Sequence, residues 1–205
     1  MLDSLFDNLK DISTSPWFYA VIFGISFLDS VIPLVPSETA VILGGIAAGQ
    51  DDLNLFGVIA CGACGAMLGD NFAFGIGRRY SGRIQNWYQA KPSRAKRLEW
   101  ADHQLGTRGG SLLLTARFIP GGRTVVTLTS GITRQRRWKF AFFVAISCTI
   151  WASYAAALGY FFGERFADSH TTAFILAFIT AVSISVIIEI IRHFVRKHRA
   201  AVATT

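Results

Sequence analysis

The chain has 205 residues, 52% of them hydrophobic and only 16% charged, with a mean hydropathy of +0.41. A soluble domain carries about 25% charged residues. Composition therefore argues against a soluble enzyme or binding module and reads as an integral membrane protein of one domain. The formal net charge is +7, and the placement of those cations carries the topology.

Residues 1–15 set Asp3, Asp7 and Asp11 against Lys10, with no basic region of the kind that opens a signal peptide. Leu2, Leu5, Phe6 and Leu9 share one helical face, which predicts a short interfacial amphipathic helix, with a frayed polar terminus as the alternative. Residues 16–50 are apolar but broken at Pro33-Leu34-Val35-Pro36. Two prolines three apart cannot lie inside one unkinked helix, so this stretch is a re-entrant hairpin or a kinked crossing. Gln50-Asp51-Asp52 is a polar turn. Residues 53–77 predict a spanning helix whose glycines and alanines suit close helix packing. Residues 78–110 are polar and basic, long enough for an amphipathic helix on the membrane surface.

Residues 111–132 are apolar around Arg117-Phe118-Ile119-Pro120-Gly121-Gly122-Arg123. An arginine at the centre of a membrane helix costs about 2.5–3.5 kcal/mol or more. Proline and glycine break the helix, and broken backbone at membrane depth must be buried in protein or line a wet cavity. The arms 111–119 and 124–132 are each about 13 Å long as helix, and neither can cross a core of about 30 Å. This predicts a second re-entrant hairpin with its tip at Pro120, Gly121 and Gly122, matching a first tip at Pro33 and Pro36. After a basic turn at 133–137 come a second spanning helix at 139–162, a polar loop at 164–172, a third spanning helix at 173–191 and a basic tail at 192–205.

Of the twenty Lys and Arg residues, eight fall in 78–110, four in 133–139 and four in 192–205. If residues 111–132 re-enter, all three segments share one face, which the positive-inside rule makes cytoplasmic. The opposite face then holds Asp3, Asp7, Asp11, Asp51, Asp52, Glu164 and Asp168. Pro36-Ser37-Glu38-Thr39 resembles Pro120-Gly121-Gly122-Arg123-Thr124, and each leads to a Gly-Ile pair, Gly45-Ile46 or Gly131-Ile132. Hairpin-plus-helix units of opposite orientation are the pattern of inverted-repeat transporters, with sites near the midplane.

Asp29 and Glu38 flank the first break, Arg117 and Arg123 the second. If the tips meet, two acids face two bases, either as structural ion pairs or as a site. Arginine holds phosphate through a planar bidentate fork, and intramembrane acids commonly relay protons. Asp70 is a third cavity acid or the partner of a basic residue near the cytoplasmic face. Glu189 reads as an interfacial ion pair. Cys61 and Cys64 have the spacing of a redox pair but lie in an apolar helix, with only Cys148 besides. His103, His170, His193 and His198 fall in loops or the tail. Trp17, Trp138, Trp151 and Tyr160 suit the interfacial aromatic belt. No zinc-like Cys/His spacing, P-loop or GxSxG occurs, so neither cofactor nor metal is expected.

Arg117-x-x-Pro120-Gly121-x-Arg123 resembles the signature of the DedA family, also called VTT or SNARE-associated membrane proteins. Asp29, Pro36-Ser37-Glu38, Gly69-Asp70, Gly77-Arg78-Arg79 and Gly82-Arg83 support the resemblance, which covers roughly residues 17–165. It implies an all-α polytopic fold, with two opposed re-entrant hairpins at about 16–50 and 111–132. It implies proton-driven movement of phospholipid or polyprenyl phosphate across the bilayer, undecaprenyl phosphate or phosphatidylethanolamine. The family's two acids and two arginines transfer to Asp29, Glu38, Arg117 and Arg123. The nine-residue spacing of the acids is shorter than in some members, which makes Asp29 the weakest transfer.

The sequence thus predicts a multi-pass protein of the cytoplasmic membrane with a cytoplasmic C-terminus, not an enzyme. Its partners are a membrane lipid and protons, without nucleic acid, and its oligomeric state is open. Arg117 and Arg123 bind the substrate phosphate, while Glu38, Asp29 and Asp70 couple protons. The alternatives are a proton- or cation-coupled transporter of a small solute, a membrane phosphatase and a structural scaffold.

Overall fold

The computed structural model describes residues 16–32, 37–89, 92–117 and 122–166, and beyond them residues 172, 175–177, 179 and 180. Every regular element among the described residues is an α-helix. In chain order they are α1 (Phe18–Val31), α2 (Ser37–Gly49), α3 (Leu55–Arg79), α4 (Ser81–Gln89), α5 (Pro92–Ala116), α6 (Gly122–Ile132) and α7 (Arg137–Arg165). The expected helix at 1–15 and the tail at 192–205 lie outside the described residues, as do Pro33, Pro36, Pro120 and Gly121. So does the expected span at 173–191, apart from five residues of it.

Two described helices, α3 with 25 residues and α7 with 29, are long and apolar enough to cross a membrane. At 1.5 Å per residue they reach about 37 and 43 Å, more than the hydrocarbon core of about 30 Å. The apolar helices α1 and α2, with 14 and 13 residues, are too short to span it.

Local chemistry sets the ends. Asn54 caps α3 by accepting from Gly57 N at 3.2 Å, and Arg78 and Arg79 fill its last turn, where the helix dipole favours cations. After α2, Asp51 takes φ 65, with Asp52 N bonded to Ala47 O at 2.9 Å and Asp51 N to Ala48 O at 3.3 Å. After α6, Arg134 takes φ 55, with Gln135 N on Ser130 O at 3.0 Å and Arg134 N on Gly131 O at 3.1 Å. Both are Schellman ends with a non-glycine residue in the left-handed position.

The structure divides two sequence segments differently from the expectation. Residues 78–110 are not one surface helix, because Pro92 starts a new one, a favoured place for proline. That helix, α5, continues to Ala116 and bends at Arg108, whose φ and ψ are −127° and 17°. Gly122, expected at the hairpin tip, is the first residue of α6.

Glycines bring the backbones together. α1 runs parallel to α3: Tyr19 OH receives a hydrogen bond from Asn54 N at 2.7 Å, and the Phe23 and Phe27 carbonyls abut Gly65 and Gly69. The second arms share a further device. A Cβ on Gly45 of α2 would strike the Ala156 carbonyl of α7, and one on Gly159 would strike the Ile42 carbonyl. Likewise a Cβ on Gly131 of α6 would strike the Phe74 carbonyl of α3, and one on Gly77 the Leu128 carbonyl. The C-terminal part of α5 packs parallel to α7, with Gly110 under Phe143 and Ser147 Oγ donating to Leu113 O at 3.4 Å. The core between these helices is built from Ile22, Val41, Ile42, Val58, Phe74 and Cys148, all fully buried.

Candidate functional site

Helix ends and helix middles converge at one place. Asp29 is in the last turn of α1, Ser37 and Glu38 open α2, Arg117 follows α5 and Arg123 is the second residue of α6. Arg117 and Arg123 meet α3 at Asp70, Arg117 also meets α7 at Cys148 and Trp151, and Arg123 and Ser37 meet Asp29. The close glycine contacts of α3 with α1 at Gly69 and with α6 at Gly77 fix the approach.

Asp70 is the centre. Arg117 Nη1 donates to Asp70 Oδ2 at 3.4 Å, and Arg123 Nε faces Asp70 Oδ1 at 3.6 Å. Arg123 Nη2 donates to the Asp29 carbonyl at 2.6 Å and to its carboxylate at 3.3 Å. Ser37 Oγ donates to the same carboxylate at 2.5 Å. Burial is graded along this chain. The Arg117 and Asp70 side chains are each 3% exposed, whereas Arg123 is 13% and Asp29 18% exposed.

Arg117 is held from a third side. Its guanidinium lies 4.5 Å from the centroid of the Trp151 ring, a cation–π contact that strengthens when desolvated. Its Nη1 is also 3.2 Å from Cys148 Sγ, whose thiol donates to Asp70 Oδ2 at 3.7 Å. Among the described residues only one of its three nitrogens is used by protein. Nε and Nη2 are buried and have no hydrogen-bond partner among the described residues, and the same holds for Asp70 Oδ1 and the hydroxyls of Thr124 and Thr127. An unmet buried donor costs about 1–3 kcal/mol, more when charged, and such clusters call for an explanation by a ligand, water or ion.

Of the predicted residues, Asp29, Asp70, Arg117 and Arg123 are joined in one network. The sequence had pictured Asp29 and Glu38 as the acids facing the arginines; the structure puts Asp70 in the ion-pair role. Among the described residues Glu38 has no ion-pair partner, although it lies within electrostatic reach of Asp29 and Arg117. Gly122 lies beside Arg123 in α6. Trp151 is 8% exposed beneath Arg117 and does not join the aromatic belt, whereas Trp17 and Trp138 are exposed as expected. Its place at the midpoint of a 29-residue helix was the available signal. Cys148, which sequence reasoning left as a stray cysteine, lies within the network.

The chain matches the VTT domain family over residues 35–161. It is 29% identical over 165 residues to an uncharacterized membrane protein of Synechocystis, covering 77% of this chain and 72% of the relative. It is 27% identical over 152 residues to protein DedA of Escherichia coli, covering 72% and 69%. It is 25% identical over 145 residues to undecaprenyl phosphate transporter A of Bacillus subtilis, covering 70% and 73%. No solved structure matches the chain. The matched span holds Glu38, Asp70, Arg117, Arg123 and Cys148, and the chain is a membrane protein of the VTT-domain, or DedA, family.

Proposed function

We propose that this protein moves a phosphate-bearing lipid across the cytoplasmic membrane, with proton coupling, and that Arg117 and Arg123 bind the phosphate. The observation that carries the proposal is Arg117. Its side chain is 97% buried, and among the described residues it spends one guanidinium nitrogen on protein, so that Nε and Nη2 present two parallel N–H groups. That fork matches two oxygens of a phosphate. The name of the Bacillus relative, an undecaprenyl phosphate transporter, supports the same substrate class, with phosphatidylethanolamine as the other lipid of that class.

Charge balance gives the coupling a physical reason. Asp29, Glu38 and Asp70 face two arginines, so the ionised site carries a formal charge of −1 before any ligand arrives. A phosphate anion would add to that, in a place where unpaired charge is expensive. Phosphate binding is therefore linked to proton uptake by one or more of these acids. Glu38, which has no ion-pair partner among the described residues, is the acid best placed to take a proton without breaking an ion pair.

The re-entrant hairpins and the inverted repeat belong to this reading. In each half the first arm packs parallel to its own following long helix, α1 on α3 and the end of α5 on α7, and the second arm packs on the other half's long helix. The basic turn at 133–137 lies against the preceding basic segment, with Gln85 Nε2 donating to Ile132 O and Arg78 Nη1 to Gln135 O at 3.4 Å. That proximity supports re-entry of residues 111–132, and with it a cytoplasmic C-terminus.

Reconstitution into liposomes with labelled undecaprenyl phosphate or phosphatidylethanolamine tests the proposal. Transport of one of them should accelerate under a pH gradient. Movement of neither, at any gradient, would overturn it.

A further inference from the structure

A cavity lined by none of the residues of the arginine network lies beside it. Its volume is about 510 Å³, within the usual range for ligand sites, and it opens between α5, α6 and α7. Its cause is legible in α5. Gly106, Gly109 and Gly110 form one wall, and a Cβ on Gly106 or Gly109 would meet nothing within 4 Å. These glycines flank the bend at Arg108. Leu113, Phe140 and Phe143 make the inner end apolar, while Arg136 and Lys139 stand exposed at the rim.

Among the described residues neither cation has an ion-pair partner, although Lys139 Nζ lies 5.8 Å from the centroid of the exposed Trp138 ring. They sit at the N-terminus of α7, where the first turn holds no acid and no side chain caps the helix. Cations at that end oppose the helix dipole, whereas an anion there would be stabilised. Asp102 of α5 is bonded to Gln135 Nε2 at 2.9 Å. The positive-inside rule accounts for cations at this end but not for a half-apolar cavity beneath them. The inner end lies close to the first site, because Leu113 is one helical turn before Arg117 on the α5 arm.

We infer that this cavity is a second phosphate subsite, a vestibule that takes the anionic head group on Arg136 and Lys139 with the adjoining apolar carbons against Phe140 and Phe143. It rests on the lipid-phosphate reading for the nature of its ligand, not for its location. Labelled geranyl phosphate and the full-length protein in detergent provide the test by equilibrium dialysis. Two molecules should bind per chain. Arg136→Gln with Lys139→Gln should weaken one of them at least tenfold, and Gly109→Leu, which fills the cavity and keeps both cations, should do the same. Arg117→Lys should weaken the other.

Two bound molecules in all three variants, or one that only Arg117→Lys removes, would overturn the vestibule. One that survives Arg117→Lys but is lost with Arg136 and Lys139 would keep the vestibule and overturn the central phosphate reading. In the unaltered protein, geranyl phosphate should slow acetylation of Lys139 at least fivefold. Displacement by inorganic phosphate would assign the subsite to free phosphate as well as to head groups. Resistance to it would assign the subsite to the prenylated head group, and displacement by geraniol would overturn the anion reading.

Discussion

The contact of α2 with α7 and that of α6 with α3 are built alike and charged differently. Each uses a reciprocal glycine pair, Gly45 with Gly159 and Gly131 with Gly77, to set backbone on backbone. Each second arm ends in the same Schellman turn. Yet the first arm pair carries Asp29 and Glu38 at its break, and the second carries Arg117 and Arg123. The long helices differ too: α3 brings Asp70, while α7 brings Cys148 and Trp151. Packing is repeated between the two contacts and chemistry is divided between them. A bundle with this packing could hold many polar centres; the side chains at its breaks decide which.

The largest test of the division concerns the acids. Removing Asp70 by Asp70→Ala leaves the sealed Arg117 without its carboxylate, at a cost of about 3–5 kcal/mol. Asp29→Ala should cost clearly less, because Asp29 is 18% exposed and its backbone carbonyl still accepts from Arg123. Thermal melting of the detergent-solubilised variants measures both. Equal losses would mean that the graded burial of the network has no energetic weight.

The repeated packing is tested next. Gly45→Ala and Gly131→Ala should each cost about 1–3 kcal/mol by overpacking, and by similar amounts if the two contacts are equivalent. Gly24→Ala and Gly75→Ala face open space and should be neutral or gain up to about 1 kcal/mol of helix propensity. A large loss at Gly45 with none at Gly131 would break the parallel between the two contacts.

A third comparison separates the arginines. Arg117→Lys keeps the charge but loses the planar fork and the stacking on Trp151, so liposome transport should fall by about tenfold or more while the protein still inserts. Arg123→Lys should lose less, because Arg123 spends Nη2 on Asp29 and is not stacked on Trp151. Full transport by both lysine variants would reduce the arginines to a general charge requirement.

Much of this was legible in the sequence because it follows from cost. Charges and broken backbone inside an apolar chain must be compensated, which marked Arg117, Arg123, Asp29 and Glu38, and apolar length marked α3 and α7. Partner choice was not legible. Asp70 outcompetes Glu38 for the arginines because Gly69 and Gly77 let α1 and α6 press against α3, a consequence of three-dimensional approach. Cys148 carries no sequence signal of a site, since it is an ordinary residue for an apolar helix, and Trp151 carries only its mid-helix position. The bend at Arg108 was masked by counting the glycines as a boundary at 110.

Glu38 offers the smallest effect on stability and the sharpest on mechanism. An acid in an ion pair and an acid that carries a proton respond in opposite ways to the same substitution. Glu38→Gln keeps size and hydrogen-bonding capacity and fixes the charge at zero. Were Glu38 the partner of an arginine, the change would strand a buried cation, at roughly 3–5 kcal/mol. Among the described residues it has no such partner, whereas Asp29 and Asp70 do. Glu38→Gln should therefore cost clearly less stability than Asp70→Ala. Its lipid exchange should persist but cease to follow an imposed pH gradient. Asp29→Asn should show the reverse order, with some stability lost and the gradient response kept. A stable Glu38→Gln protein whose transport still tracks the gradient would remove the proton from Glu38 and leave Asp29 or Asp70 to carry it.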